Sequence, residues 1–271
     1  MSGARIREWL LRGYVAAVAV LMLLPIAVVL LTSLTPAAYI SFPPGGLSLR
    51  WYMAVASADE WVPSFLTSLQ VGAIVIVCAL SIGVPAALGL HAATGRFATA
   101  LQTFFLSPLM IPSLVIGLAI LRFYESLALP ASDLSVALGQ TMIATPYVVR
   151  FVLAGLAGVD SGLTRAARIL GSGPIRTFVK ITLPLIRHGL IAGALFSFIV
   201  SIDDVNIALF LSDVHVTPLS VQLLGYLQQS ADPQGAAVAS LLVIIAFVLI
   251  FVCDRLAGID WLFGIRKTTV S

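Results

Sequence analysis

Six apolar runs, each long enough to cross a lipid bilayer, dominate this sequence. A helix needs about 20 mostly apolar residues to cross the hydrocarbon core. Of the 271 residues, 60% are hydrophobic and only 10% are charged, whereas soluble domains carry about 25% charged residues. The sequence therefore predicts an all-α membrane protein, with one domain over residues 1–271 and six transmembrane helices. Their approximate bounds are residues 14–34, 68–90, 101–124, 134–157, 188–211 and 236–253.

Prolines fall inside several of these runs. Pro85 is expected to break the second run, and Pro108 and Pro112 lie in the third. Proline is tolerated in membrane helices where neighbouring groups satisfy the carbonyl that it leaves unpaired. The segment from Thr35 to Thr67 is rich in turn formers and aromatic residues. It is predicted to be the longest loop, lying at the membrane–water interface.

The distribution of basic residues predicts how the chain is oriented. If the N-terminus is cytoplasmic and six helices cross the membrane, 12 of the 15 lysines and arginines lie on the cytoplasmic side. Cytoplasmic segments of membrane proteins are enriched in these residues, so both termini are expected to be cytoplasmic. The net charge of +3 therefore reflects orientation and does not indicate nucleic-acid binding. The cytoplasmic set is Arg5, Arg7, Arg12, Arg96, Arg165, Arg168, Arg176, Lys180, Arg187, Arg255, Arg266 and Lys267.

The polar stretch from residue 160 to residue 187 separates the fourth and fifth runs and still has a helical pattern. Leu163 and Leu170 recur at helical spacing. Gly171 and Pro174 then divide the stretch, because glycine permits a sharp turn and proline favours the start of a new helix. A hairpin of two short helices with basic residues on its rim is predicted to dock a soluble partner. An ordinary loop with two amphipathic turns is the alternative.

This hairpin resembles the cytoplasmic signature of permease subunits from importers of the ATP-binding-cassette (ABC) class. That signature reads Glu-Ala-Ala, three residues, Gly, nine residues and Ile-x-Leu-Pro. The same spacing is present here, except that Arg165 stands in place of the glutamate. The matching residues are Ala166, Ala167, Gly171, Ile181, Leu183 and Pro184.

The resemblance implies a type I ABC importer permease fold, in which the hairpin is seated in a groove of a separate ATPase subunit. Its basic residues would contact the ATPase, its alanines would permit close packing, and Gly171 would form the turn. These contact residues are Arg165, Ala166, Ala167, Arg168, Arg176 and Lys180. The sequence has no G-x-x-x-x-G-K-[ST] phosphate loop. ATP and Mg are therefore expected in the partner ATPase, and this chain is expected to be a transport subunit without catalytic, cofactor or metal sites.

The resemblance also implies the partners and the substrate. We expect a complex in the bacterial inner membrane. Its other members would be two ATPase subunits, a second and non-identical permease subunit, and a periplasmic solute-binding protein. The segments Phe42 to Tyr52 and Thr217 to Val221 are most similar to those of polyamine-type (spermidine/putrescine) permeases. A polyamine or a related cation is therefore the expected small-molecule substrate. An opine, an amino-acid-like compound or a phosphonate is the alternative.

Asp203, Asp204 and Asn206 lie inside the fifth run and are the candidate substrate-path residues. Ionisable side chains at this depth are costly and normally face protein or a water-filled cavity. Adjacent residues on a helix point about 100° apart, so we expect one aspartate to face the pathway and the other to meet Arg122 or Arg150. The structural alternative is an ion pair and a capped helix, with no contact to substrate.

Two other functions fit the sequence less well. An intramembrane aspartyl protease needs two aspartates on different spans, whereas these two are adjacent on one. A secondary carrier is disfavoured because no inverted repeat is apparent. The three histidines, His91, His188 and His215, are not spaced as metal ligands.

Overall fold

The computed structural model describes residues 3–159 and 161–257, and these residues form helices without any β-strand. The prediction of an all-α fold is therefore confirmed. Residue 160, at the start of the predicted hairpin, and the basic residues Arg266 and Lys267 lie outside the described residues. In chain order the helices are α1 (Gly3–Thr32), α2 (Arg50–Ser57), α3 (Trp61–Ala92), α4 (Gly95–Leu106), α5 (Ser113–Ser126), α6 (Asp133–Ala157), α7 (Ser161–Ile169), α8 (Pro174–Thr177), α9 (Leu183–Leu185), α10 (Arg187–Asp203), α11 (Asn206–Leu211), α12 (Leu219–Gln229) and α13 (Pro233–Ala257).

Within the described residues, four single helices are long and apolar enough to cross a membrane, and they match the first, second, fourth and sixth predicted spans. These four are Arg7–Thr32, Trp61–Ala92, Asp133–Ala157 and Pro233–Leu256. Two further stretches reach this length only as bent pairs of helices. The pairs are Gly95–Met110 with Ser113–Ser126, and Pro174–Leu185 with Arg187–Asp203. The predicted total of six spans is reached when each bent pair counts as one span.

The third predicted span, over residues 101–124, is not one continuous helix. The helix bends by 98° between Met110 and Ser113. Ile111 is extended, with ψ of 132°, because a residue that precedes a proline is disfavoured in the helical region. Pro112 is extended as well, with ψ of 129°, and α5 begins after it.

The fifth predicted span, residues 188–211, is interrupted too. α10 ends at Asp203 and α11 begins at Asn206, with Asp204 extended at ψ of 114°. The chain also bends by 73° between the helical stretch Pro174–Leu185 and α10. The bent pair of span length, residues 174–203, begins within the predicted hairpin and ends before the predicted span does. Neither a proline nor a glycine marks the break at Asp204.

Two further predictions need correction. Pro85 does not break the second span, because α3 continues without interruption from Trp61 to Ala92. A long apolar helix tolerates the loss of one backbone hydrogen bond. The predicted loop from Thr35 to Thr67 contains α2 and the beginning of α3. Trp51 and Val55 lie four residues apart in α2 and are both buried, as expected for an amphipathic helix.

The contacts divide the chain into two compact units, the first of which contains residues 3–62 and 223–245. Its polar contacts centre on Tyr52, whose hydroxyl lies 2.7 Å from Ser33 Oγ and 2.6 Å from Ser240 Oγ. Hydroxyl groups that bond across helices in this way help to hold membrane helices together.

The second unit comprises the other described residues, and α6 lies at its centre. Val136, Val148 and Val152 of α6 are fully buried, and α10 packs along this helix. Ile207 of α11 is fully buried in the same apolar cluster. α6 therefore supports both helices on either side of the break in the fifth span.

Candidate functional site

A cavity of about 450 Å³ lies in the second unit, where both broken spans are interrupted. It is bounded by the α4–α5 turn, by α6 and by the α10–α11 break. In membrane transporters, interrupted helices commonly form the sites that bind substrate and ions. The three predicted substrate-path residues all reach this cavity. Its lining residues are Pro108, Leu109, Ile111, Ser113, Ile143, Tyr147, Val200, Asp203, Asp204, Val205 and Asn206.

Asp203, the last residue of α10, is exposed and lines the cavity. Its side chain makes no hydrogen bond or ion pair with any part of the chain that the structure describes. No lysine, arginine or histidine is found among the described residues that line the cavity. A carboxylate without a neighbouring cation favours a positively charged ligand over an anion.

Asp204 caps a helix, and the prediction that one of the two aspartates pairs with Arg122 or Arg150 is wrong. Its carboxylate accepts hydrogen bonds from the backbone N–H groups of Ile207 and Ala208, each at 3.1 Å. Aspartate commonly satisfies the free N–H groups in the first turn of a helix. Arg122 instead pairs with a glutamate of its own helix at 3.0 Å. No ion pair joins Asp204 to Arg150 within residues 3–159 and 161–257.

Gln140 of α6 was not singled out from the sequence, although it contacts Asp204 directly. Its Nε2 donates to Asp204 Oδ2 and to the Ser201 carbonyl oxygen, each at 3.2 Å, and its Oε1 accepts from Ser201 Oγ at 2.6 Å. Ser220 Oγ donates to the Asp204 carbonyl oxygen at 3.0 Å. A glutamine inside an apolar run was the available signal, since buried amides need hydrogen-bond partners.

Asn206 joins the two helix breaks to each other. Its Nδ2 donates to Ser113 Oγ at 2.8 Å, so the first residue of α11 bonds to the first residue of α5. Gly117, one turn further along α5, lies so close to α11 that an added Cβ would meet the Asn206 carbonyl oxygen at 3.1 Å. The two interrupted spans therefore form one connected wall of the cavity.

The turn predicted at Gly171 is present between α7 and α8. Gly171 has φ of 82°, a left-handed conformation that glycine adopts without steric strain. The N–H of Gly171 bonds to the Arg168 carbonyl oxygen, and the N–H of Ser172 bonds to that of Ala167, both at 3.0 Å. This pair of bonds is a Schellman motif, which satisfies the last carbonyl groups of α7.

The hairpin exposes large apolar side chains beside the predicted basic rim. Ile169 is 85% exposed, Leu170 86% and Ile175 79%. The sequence analysis emphasised the basic residues, but exposed apolar side chains that are bordered by polar groups also mark interaction surfaces. Among the predicted contact residues, Ala167 is half-buried and the others are exposed, namely Arg165, Ala166, Arg168, Gly171, Arg176 and Lys180.

The backbone widens into a π-helical turn, Phe178–Thr182, directly after α8. The N–H of Leu183 bonds to the carbonyl oxygen of Phe178, five residues earlier. Pro184 has no N–H with which to continue an α-helical ladder, and π-turns inside helices are frequent at functional sites. The Ile-x-Leu-Pro end of the signature therefore coincides with a local change in helix pitch.

The family described as "Binding-protein-dependent transport system inner membrane component" matches residues 79–259 of this chain. That range contains the hairpin and every residue that lines the cavity. The chain belongs to this family. It is the membrane-spanning permease subunit of an ABC importer, a transport component and not an enzyme, as the sequence predicted.

Curated relatives of the permease include transporters for different solutes. It is 30% identical to the putrescine transport system permease protein PotI of Escherichia coli (strain K12) over 222 residues, which is 78% of this chain and 79% of that one. It is 24% identical to the spermidine/putrescine transport system permease protein PotC of Haemophilus influenzae, over 76% of this chain and 80% of that one. The molybdenum transport system permease protein ModB of Mycobacterium bovis is 28% identical, over 78% and 87% respectively.

Solved structures of ABC transporters share the fold of the permease. A chain of a bacterial transporter that imports the acidic polysaccharide alginate superposes with a TM-score of 0.70 at 16% identity, covering 94% of this chain and 98% of that one. A chain of the inward-facing MetNI methionine transporter superposes with a TM-score of 0.59 at 21% identity, covering 73% and 94%. These similarities confirm the predicted type I ABC importer permease fold.

Proposed function

We propose that this permease forms half of the translocation pathway for a polyamine or a related organic cation. The observation that carries the proposal is the cavity at the two helix breaks, which presents the Asp203 carboxylate and has no basic side chain among its described lining residues. Ionisable side chains inside membrane proteins mark substrate and ion pathways. Asp203 is therefore the residue proposed to meet the cation.

The chemistry of the cavity separates the solutes named for the relatives. A bare carboxylate attracts an ammonium group and repels an oxyanion, which supports a putrescine-like substrate over molybdate. Leu109, Ile111 and Val200 offer aliphatic surface for a methylene chain. Tyr147 offers an aromatic ring, and the π face of such a ring attracts cations. The volume of about 450 Å³ falls within the range of about 300–1,000 Å³ that is usual for small-molecule sites.

The proposal includes the partners that the family implies. The hairpin is seated in a groove of an ATPase subunit, and two such subunits bind ATP and Mg and drive alternating access. A second, non-identical permease subunit completes the pathway, and a periplasmic binding protein delivers the solute. Both termini and the hairpin face the cytoplasm in the bacterial inner membrane. The exposed apolar and basic side chains of the hairpin support this assembly.

Uptake of labelled putrescine by the complete transporter in proteoliposomes tests the proposal. Asp203→Asn keeps the size of the side chain and removes its charge. A hydrogen bond to a charged group contributes about 1.5–3 kcal/mol, so we expect uptake to fall by about tenfold or more. Asp203→Glu keeps the charge and should retain part of the activity.

Glu125→Gln is the matched control, because Glu125 is an exposed carboxylate of the same unit that does not line the cavity. It should leave uptake unchanged. Equal uptake by the wild type and Asp203→Asn would contradict the role of Asp203. Transport of molybdate in preference to putrescine by the wild-type complex would refute a cationic substrate.

A further inference from the structure

The break between α10 and α11 leaves backbone carbonyl groups that the helix itself does not satisfy. The Asp204 N–H makes the last bond back into α10, to the Val200 carbonyl oxygen at 3.0 Å. Beyond it, the last carbonyl groups of α10 have no helical partner. An unsatisfied backbone group is costly in the membrane because no water replaces the missing partner. Ser201 and Asp204 are buried, so their carbonyl groups need hydrogen-bond partners within the protein.

Two side chains perform this task, and they come from different helices. Gln140 Nε2 of α6 donates to the Ser201 carbonyl oxygen at 3.2 Å. Ser220 Oγ of α12 donates to the Asp204 carbonyl oxygen at 3.0 Å. The break is thus an arrangement held by long-range contacts, and it does not follow from the local sequence.

Gln140 also contacts the carboxylate that caps α11. The same Nε2 donates to Asp204 Oδ2 at 3.2 Å, while Oε1 accepts from Ser201 Oγ at 2.6 Å. Because Nε2 faces two acceptors and Oε1 faces a hydroxyl, only one orientation of the amide satisfies all three partners. Gln140 is fully buried, so a single amide connects α6, the end of α10 and the cap of α11.

We propose that Gln140 is a positioning residue that keeps the two adjacent aspartates in separate roles. Asp204 is held at the cap of α11, and this fixes the direction in which Asp203, the preceding residue, leaves the end of α10. Asp203 is thereby directed into the cavity. The consequence for transport rests on the proposed function, in which Asp203 meets the cation.

Loss of Gln140 would release both halves of this arrangement. The Ser201 carbonyl oxygen would lose its partner, and the Asp204 carboxylate would keep only the two N–H donors of α11. Other backbone conformations at the break would then compete with the present one. In those conformations the Asp203 side chain is no longer held toward the cavity.

The accessibility of a thiol at residue 203 measures whether this side chain faces the cavity, and the measurement needs no substrate. Asp203→Cys is introduced into the complete transporter after Cys78→Ala and Cys253→Ala, and the rate of its modification by a cationic methanethiosulfonate reagent is measured. Adding Gln140→Leu should slow modification by about tenfold, the scale of one buried hydrogen bond to a charged group. Equal rates with Gln140 and with Gln140→Leu would overturn the proposal.

Thr141→Val is the matched control for this experiment. Thr141 is a buried polar residue adjacent to Gln140, but its hydroxyl bonds to a carbonyl oxygen of its own helix, that of Ala137, at 2.7 Å. It should change the modification rate less than about twofold, because it has no partner at the break. An equal reduction by Thr141→Val and Gln140→Leu would show a general packing effect and overturn the proposal.

Gln140→Glu keeps the test decisive if Gln140→Leu does not assemble. It preserves the shape of the side chain but places a second carboxylate against Asp204, the ionisable group that Gln140 contacts. Modification should be slower than with Gln140 at both neutral and acidic pH, because even a protonated carboxyl group has a single O–H donor and cannot replace both hydrogen bonds that Nε2 donates. A rate equal to that of Gln140 at neutral pH would overturn the proposal.

Putrescine uptake with Asp203 retained separates this proposal from the proposed function. If the wild type takes up putrescine, Gln140→Leu should lower uptake in parallel with the modification rate, and Thr141→Val should not. If the wild type takes up no putrescine, the proposed substrate is refuted, while the modification rates still decide the role of Gln140.

Discussion

Gly171 allows backbone conformation to be tested separately from available space in the hairpin. Its φ is 82°, and an added Cβ would meet nothing within 4 Å. Gly173, two residues later, has equally open space, but its φ is −65°. A serine therefore has room at either position. Only the serine at residue 171 must adopt the left-handed conformation.

The expected size of the effect follows from that difference. A left-handed backbone costs about 1–2 kcal/mol for residues other than glycine, which corresponds to a factor of about 5–30 in a two-state equilibrium. The capping bonds from Gly171 and Ser172 depend on this conformation. Gly171→Ser should therefore shift the hairpin away from its present turn by that factor. Gly171→Asn should cost less, because asparagine tolerates the left-handed region.

Two measurements on the complete transporter test this reasoning. The first is the amount of ATPase subunit that co-purifies with the permease, and the second is ATP hydrolysis stimulated by the liganded binding protein. Gly171→Ser should lower both severalfold while the amount of permease in the membrane stays constant, and Gly173→Ser should resemble the wild type. Equal effects of the two substitutions, or full stimulation in Gly171→Ser, would refute the reasoning.

Two further predictions concern stability. Asp204→Ala removes the cap of α11 and leaves Gln140 without one acceptor, which should lower the free energy of unfolding by about 1–3 kcal/mol. Its thermal midpoint in detergent should therefore be lower than that of Asp203→Ala, and an equal or higher midpoint would contradict this expectation. Tyr226 donates to Asp232 Oδ2 at 2.7 Å, and burial, followed by the bond and charge of Asp232, raises the pKa of Tyr226 to about 12. The stability from this contact should be complete below the unfolded pKa of about 10 and lost as pH rises toward the folded value. Tyr226→Phe should remove that pH dependence. Thermal midpoints of the wild type and of Tyr226→Phe, measured from pH 10 to about pH 12, test this, and an equal fall in both proteins would contradict it.

The membrane spans could be predicted because the bilayer fixes their length and composition, but their continuity could not. Pro85 lies within an unbroken helix, whereas Pro112 lies within a sharp bend. The sequence shows both prolines but not whether neighbouring groups satisfy the backbone around them. The break at Asp204 has no local signal, because it is stabilised by Gln140, 64 residues away.

The same difference between local and long-range contacts separates the two parts of the candidate site, the hairpin and the cavity. The turn at Gly171 depends on residues close in sequence, so the spacing of the signature was sufficient to predict it. From the adjacent aspartates we expected one to face the pathway and the other to meet a neighbouring helix, but both line the cavity, and only the hydrogen bonds of Asp204 distinguish the two. The exposure of Leu170 depends on which helices pack nearby, and periodicity alone assigned it only to a helix face.

The close packing of α11 limits how this permease can adapt to new solutes. An added Cβ at Gly117 would meet Phe210 Cδ2 at 2.9 Å, and one at Gly139 would meet Leu211 Cδ1 at 2.5 Å. At Gly117 the added group would also meet two backbone atoms, the Asn206 carbonyl oxygen and Ile207 Cα, each at 3.1 Å, so one extra methyl group there would displace the segment that carries Asn206. Residues on the open side, such as Val200, have no such restriction. Changes of solute preference should therefore accumulate on the cavity wall, while the glycines behind it stay the same.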